Sequence, residues 1–110
     1  IWLEKALEGK RTLPQRTDVF HVEPRVLVDN NASRTHSVIE VNGRDRPGLL
    51  FDLARTLKDL GLGINSAHIS TYGERVVDVF YVKDVFGLKV THRAKMQRVQ
   101  KALLEVMGGS

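Results

Sequence analysis

Two stretches of the chain have the apolar spacing of amphipathic helices. In residues 47–61 and again in residues 91–107, apolar side chains recur at intervals of three and four, which places them on one helical face. Pro47 suits the first helical position, Asp45 and Thr91 can cap the two helices, and Gly61 ends the first. The apolar sets are Leu50, Leu53, Ala54, Leu57 and Leu60 in the first helix, and Val99, Ala102, Leu103, Val106 and Met107 in the second.

Alternating or continuous apolar runs predict four strands. Residues 19–28 contain several valines beside Pro24, which indicates an extended strand or one interrupted at that proline. Residues 35–43 alternate between apolar and polar, and the turn-forming residues before them predict a hairpin with the first strand. Residues 62–71 and 74–84 form a second hairpin. The last strand has apolar side chains on both faces, so we expect both faces to be covered.

The order of these elements indicates the fold class. From residue 35 onward the order strand, helix, strand, strand, helix is a ferredoxin-like unit that lacks its final strand. The missing strand would lie antiparallel beside the first, and residues 19–28 can occupy that place. We therefore expect an α+β fold: an antiparallel sheet with two helices on one face, an edge strand supplied from upstream and the permuted order ββαββα. Residues 1–17 are predicted to be a helix and linker from a preceding domain, 18–107 the domain itself and 108–110 a tail.

Composition narrows the class of protein. The chain has 110 residues, of which 42% are hydrophobic and 27% charged, enough for a single core. It has no cysteine, which excludes disulfides and thiolate chemistry, and no long apolar run, so we expect a cytoplasmic protein. The net charge of +4 is concentrated in residues 91–107, where four basic residues face one acidic residue. This indicates either a solvated helix face or contact with an acidic protein or nucleic acid.

The loop before the first helix is the main candidate for chemistry. Gly43 and Gly48 allow close backbone approach, and the N–H groups after Pro47 can bind a carboxylate. Asp45 can balance an ammonium group, so the loop suits a zwitterionic amino acid. The alternative is that these residues only build a tight helix cap.

Other chemical signals are weaker. His21, His36, His68 and His92 lack the paired spacing of a metal site, so no metal is predicted. Asp78 lies within an apolar strand, where it is either hydrogen-bonded, edge-facing, or a buried functional carboxylate.

A long continuous run resembles a known family. Residues 41–84 ("VNGRDRPGLLFDLARTLKDLGLGINSAHISTYGERVVDVFYVKD"), with the preceding "PRVLVDNNAS", resemble the C-terminal ACT domain of bacterial PII uridylyltransferase/uridylyl-removing enzymes, and the resemblance covers roughly residues 18–107. It implies a nucleotidyltransferase and hydrolase that uses Mg²⁺, acts on the PII nitrogen-signalling protein and senses glutamine through its ACT repeats. The catalytic motifs of such an enzyme are absent here, so this chain should catalyse nothing.

The resemblance also implies a site in two parts. In ACT domains a ligand commonly lies between the strand-to-helix loop, here residues 42–50, and the second strand of a neighbouring ACT unit, here residues 65–69. The expected neighbours are the preceding ACT repeat and the catalytic domains of the same chain. An ACT–ACT dimer is a further expectation. The chain lacks the final strand of the usual ACT order, which puts the usual side-by-side pairing in question. The implied ligand-binding residues are Asp45, Arg46, Gly48, Leu49, Leu50, Asn65, Ala67 and His68.

Two other functions compete with the sensor. An RNA-binding module shares the ferredoxin-like order and the basic charge, but it needs stacking aromatics on adjacent strands, whereas Phe80 and Tyr81 are consecutive and point to opposite faces. A docking domain without a ligand would use the loop only as a cap. Asn65 has the same ambiguity, because its amide can bind either a ligand or local backbone.

Overall fold

The computed structural model describes residues 23–108, so the predicted helix of residues 1–8, its linker, His21 and the first part of the predicted strand 19–28 lie outside the described residues. Within residues 23–108 the order is strand, strand, helix, strand, strand, helix, as predicted. The elements are β1 (Arg25–Asp29), β2 (Ser37–Arg44), α1 (Leu49–Asp59), β3 (Gly63–Tyr72), β4 (Arg75–Lys83) and α2 (Arg93–Val106).

The strands form one antiparallel sheet in the order β1-β2-β4-β3. Strand β1 begins directly after Pro24 and pairs with β2, with Val26 opposite Val41. It therefore occupies the edge that a final strand would otherwise fill, which confirms the permuted ferredoxin-like fold. Strand β3 forms the opposite edge and pairs with β4 only.

The core lies between the sheet and the two helices. Ile39, Val41, Phe80 and Val82 project from the two central strands onto α1 and α2. The helices complete the cluster with buried side chains at helical spacing: Leu49, Leu53 and Leu57 from α1, and Val99 and Leu103 from α2. The prediction that Leu50 lies on the buried face of α1 is wrong, because Leu50 is 45% exposed and Leu49 takes that place in the core. No helix in residues 23–108 is long and apolar enough to cross a membrane.

Both predicted helix caps are wrong. Helix α1 begins at Leu49 with Gly48 as its N-cap, so Pro47 precedes the helix and the Asp45 side chain does not cap it. Helix α2 has His92 rather than Thr91 at its N-cap, and again no side chain caps it. In the first case the left-handed conformation of Gly48 turns the chain into the helix, which leaves Asp45 too far upstream.

The two faces of β4 are covered unequally. Asp78, Phe80 and Val82 are buried beneath the helices, whereas Val77, Val79 and Tyr81 are half-buried on the opposite face, which carries no helix among the described residues. The expectation that Phe80 and Tyr81 point to opposite faces is confirmed. Since Phe80 is part of the core, it is not available to stack on a base.

Candidate functional site

The loop between β2 and α1 is tied to the neighbouring hairpin by its backbone. The N–H of Asp45 donates to the carbonyl oxygen of Glu74 at 2.8 Å, and Arg44 forms an ion pair with Glu74 at 2.9 Å. Gly48 has φ of 78°, a conformation that side-chain-bearing residues adopt at a cost. The loop thus has a defined shape at one end of the sheet.

The first turn of α1 offers open hydrogen-bond donors. Helix α1 has no side-chain cap, and the N–H groups of Leu50 and Phe51 have no acceptor among the described residues. Free N–H groups at a helix start, together with the helix dipole, favour a bound carboxylate or another anion.

The two charged residues of the loop differ in their partners. The guanidinium of Arg46 forms an ion pair with Asp52 at 2.9 Å and donates to the carbonyl oxygens of Pro47 and Val106 at 3.2 Å each. The carboxylate of Asp45 has no hydrogen bond or ion pair within residues 23–108. Arg46 therefore joins the loop to the end of α2, while Asp45 is open to an external cation.

The remaining loop residues divide into buried and exposed positions. The Leu49 side chain is only 2% exposed and belongs to the core, so only its backbone can contact a ligand. Leu50 is exposed and lies beside the open N–H groups. At Gly43 the group that approaches the backbone is a side chain of the protein itself. A Cβ at this position would lie 1.9 Å from Cε of Met107. Gly43 therefore serves helix packing and not ligand access.

The strand half of the predicted site lies on both faces of β3. Ala67 pairs with Phe80 and so faces the helix layer, whereas His68 pairs with Val79 and faces the open side. Asn65 falls at the register shift between Ile64 and Ser66 and is exposed, with no side-chain hydrogen bond among the described residues. An amide at a bulge is free to bind a group that approaches the sheet edge.

A single copy of the domain does not bring the two halves of the site together. Asp45 follows the end of β2 that pairs with Arg75, whereas Asn65 is level with Tyr81 and Val82 at the other end of β4. The two ends are roughly 20 Å apart, since each strand residue advances about 3.3 Å. The loop and Asn65 can share a ligand only if they come from different copies or repeats.

Asp78 is buried near the loop. Its side chain is on the helix face of the central strand β4, only 2% exposed, and Oδ1 has no hydrogen-bond partner in residues 23–108. Burial raises the pKa of this carboxyl, and the Asp45 carboxylate raises it further. The reading of Asp78 as edge-facing is therefore wrong, because β4 lies between β2 and β3 in the sheet.

The two histidines of the open sheet face contact an aromatic ring. The rings of His36 and His68 meet Tyr81 edge-on, with centroids 6.4 Å and 5.7 Å away. Within residues 23–108 no group of three or more His, Cys, Asp or Glu side chains is placed to hold a metal ion.

Comparison with protein families identifies the domain. A model described as the ACR family N-terminal ACT domain matches residues 32–109, which is most of the chain and excludes only β1 among the elements described above. The chain belongs to the ACT-domain family. This membership accounts for the sheet, the two helices and the strand-to-helix loop.

Relatives of this ACT domain occur within much longer proteins. The chain is 59% identical over 118 residues to a bifunctional uridylyltransferase/uridylyl-removing enzyme of Azospirillum brasilense, which covers 97% of the chain and 13% of the relative. A protein of the same name from Rhodospirillum rubrum is 60% identical over 102 residues, covering 92% of the chain and 11% of the relative. The chain thus spans about an eighth or less of these relatives.

Among solved structures, an unknown protein from Galdieria sulphuraria has a similar fold. The TM-score is 0.52 at 24% sequence identity, and the match covers 66% of the chain and 38% of that protein. This likeness supports the fold alone.

Sequence reasoning overlooked one exposed region. The loop after β4 presents Val85, Phe86 and Leu88 to solvent, away from the predicted ligand loop. The signal was present in the run "VFGLK", where apolar residues surround a glycine instead of the polar residues typical of a turn.

Proposed function

We propose that this ACT domain is a regulatory unit of a bifunctional uridylyltransferase/uridylyl-removing enzyme and that it binds glutamine. Identities near 60% to two proteins of that name support the enzyme class. In this proposal the parent enzyme acts in the cytoplasm on the PII signalling protein. Its catalysis and any Mg²⁺ belong to other domains, and the domain described here catalyses nothing.

The observation that carries the ligand proposal is that, within residues 23–108, no side chain caps the start of α1 and the nearby Asp45 carboxylate has no hydrogen bond or ion pair. The N–H groups of Leu50 and Phe51 can receive the α-carboxylate of an amino acid, and Asp45 can receive its ammonium group. The N–H groups, which attract an anion, and the Asp45 carboxylate, which attracts a cation, therefore lie close together in the sequence. That arrangement matches a zwitterion better than a simple anion, which Asp45 would repel.

The second half of the site would come from another ACT unit paired through β3. Strand β3 is an edge strand whose residues are almost all exposed. If two such strands pair antiparallel, the start of one lies opposite the end of the other. Asn65 of the neighbouring unit would then approach the end of β3 that adjoins the Asp45 loop, where its amide can bind the carboxamide of glutamine.

A ligand at such an interface supplies a route for regulation. Glutamine would favour the packing of ACT units in which both halves of the site meet, and so bias the catalytic domains toward one activity. Couplings of this kind are typically about 1 to 3 kcal/mol, which changes an equilibrium severalfold or more.

Titration calorimetry on the full-length gene product tests the proposal, with L-glutamine as ligand and L-glutamate as control. We expect saturable, glutamine-selective binding that Asp45→Asn weakens by at least about tenfold, because the substitution removes the ammonium partner. Asp59→Asn, an exposed acidic position at the far end of α1, is the matched control and should leave the affinity unchanged. No binding by the unaltered protein would favour a docking domain without a ligand, and equal effects of both variants would remove Asp45 from the site.

A further inference from the structure

The loop after β4 exposes three large apolar side chains to solvent. Val85 is 75% exposed, Phe86 81% and Leu88 62%. Exposed apolar groups that lie together mark interaction surfaces more often than isolated ones do. We call residues 84–88 the apolar loop.

The apolar loop is held in this shape by its own hydrogen bonds. Oδ1 of Asp84 accepts from the N–H groups of Phe86 and Leu88 at 2.8 and 3.0 Å, and the N–H of Asp84 donates to the Leu88 carbonyl oxygen at 2.7 Å. Gly87, with φ of 77°, closes the turn. The exposure of the apolar side chains is therefore a property of an ordered turn, and little ordering entropy would be lost when a partner binds.

A cavity of about 640 Å³ adjoins the apolar loop. It lies between this loop, the end of α1 at Leu60 and the first half of α2, which contributes Lys95 and Arg98. Val90 forms part of its wall. The backbone of Val90 is held against β2, because its N–H donates to Oγ of Ser37 at 2.8 Å. We call this cavity and the apolar loop together the α2 groove.

The charge of the α2 groove is positive. Nζ of Lys95 donates to the Leu60 carbonyl oxygen and Nζ of Lys89 to that of Asn30 at 2.6 Å, so neither cation is neutralised. Arg98 makes no ion pair within residues 23–108. Among residues 23–108 the one carboxylate in the lining is Asp84, whose Oδ1 is already used by the apolar loop.

We propose that the α2 groove binds an acidic segment of another domain of the same protein, with a large apolar side chain of that segment inserted beside Phe86. An apolar centre with a charged rim is the usual composition of a protein interface. The curated relatives are about eight times longer than the chain, and a covalent link gives their other domains a high effective concentration. Three aliphatic or aromatic side chains around one cavity suit a protein segment better than a nucleic acid, which would require several stacking rings.

The position of the groove would connect it to the ligand loop. Helix α1 follows the loop that contains Asp45, and its C-cap residue Leu60 lies in the wall of the groove. A helix of 11 residues spans roughly 16 Å, at about 1.5 Å per residue. A shift of α1 on ligand binding would therefore alter the groove directly. The docking inference rests on the proposal that the chain is one domain of a longer enzyme, and it does not require glutamine.

Site-specific photo-crosslinking in the full-length gene product tests the docking. A benzoyl-phenylalanine at position 86 should cross-link within the same polypeptide to a peptide outside residues 1–110 that is rich in Asp and Glu. Arg98→Glu should reduce the yield several-fold through charge repulsion, and both positions are exposed, so the fold is retained. The matched control places the same photoreactive residue at Phe51, which is 67% exposed on α1 and outside the groove, and should not label that peptide.

Other outcomes would overturn the docking inference. These are a cross-link from position 86 to RNA, to a second copy or to a separate protein, no cross-link outside residues 1–110, or a yield unchanged by Arg98→Glu. A gene product no longer than this chain would contradict the proposed enzyme itself. Loss of glutamine binding with the cross-link intact would contradict only the ligand proposal.

Discussion

At the scale of single residues, Asp78 is the most unusual feature. A carboxyl buried beneath two helices, whose Oδ1 has no hydrogen-bond partner within residues 23–108, is destabilising when ionised, because burial penalises the charged form. Its pKa is raised by burial first and by Asp45 second. The folded state therefore holds the Asp78 proton more tightly than the unfolded chain does.

This difference makes the stability depend on pH in a defined direction. Below the ordinary pKa of 3.8 the carboxyl is protonated in both states, and its contribution is most favourable. As the pH rises from there through the folded-state pKa, the unfolded chain ionises first and that contribution is lost. Asp78 thus lowers the stability progressively between pH 3.8 and its raised pKa.

Two substitutions test this account of Asp78. We expect Asp78→Val to raise the free energy of unfolding at pH 7 by about 1 to 3 kcal/mol, because it removes an unsatisfied polar group from the core. Asp78→Asn, which removes only the charge, should abolish the same pH-dependent loss with a smaller gain. Urea denaturation from pH 3.5 to 8 measures both, and a variant that is destabilised at pH 7 would indicate an undetected partner for the carboxylate.

At the scale of elements, the start of α1 depends on the backbone of Gly48. Its φ of 78° places it in the left-handed region, and no atom of the part of the chain that the structure describes lies within 4 Å of the position that a Cβ would occupy. The cost of a side chain here is therefore conformational, without a steric clash.

We accordingly expect Gly48→Ala to lower the free energy of unfolding by about 1 to 2 kcal/mol, the usual penalty for a left-handed non-glycine residue. Gly48→Asn should cost less, because asparagine tolerates this conformation better. Chemical denaturation of the original protein and the two variants measures their free energies of unfolding and so gives the order of stability. An alanine variant as stable as the original would show that the turn can form with a negative φ.

At the scale of the whole molecule, the uncovered edge at β3 is the main liability of the fold. The upstream strand β1 closes one edge beside β2, but within residues 23–108 the ten residues of β3 pair with no strand other than β4. A long open edge favours pairing with another chain unless charges oppose it. Pairing of ACT units through β3 would satisfy this edge and complete the proposed ligand site.

We expect the chain to self-associate through β3 and Ser66→Lys to shift that equilibrium toward the monomer, because the lysine places positive charge on the pairing edge. Gln97→Lys adds the same charge at an exposed position of α2 and should leave the association unchanged. Sedimentation velocity over a range of concentrations measures the monomer–dimer equilibrium of each variant and of the original chain. A dimer that Ser66→Lys does not weaken would place the interface elsewhere.

The sequence predicted more of the fold than of the site. The spacing of Leu53 and Leu57 correctly identified the buried face of α1, and Gly61 correctly marked its end, because helical periodicity and a left-handed glycine are local signals. The caps at Asp45 and Thr91 were wrong because a cap requires a particular side-chain direction, which spacing does not specify. The proposed ligand residues are a prediction from resemblance, and their arrangement depends on a second unit.

By itself the sequence determined the order of the elements, the faces that form the core and the family, since each follows from periodicity or from a contiguous run of residues. Tertiary structure decided the rest. It placed β1 beside β2, put the Asp78 side chain in the interior, separated the Asp45 loop from Asn65 and formed a cationic groove at the apolar loop. These outcomes depend on which distant residues become neighbours, and that is settled only when strand pairing and helix packing bring them together.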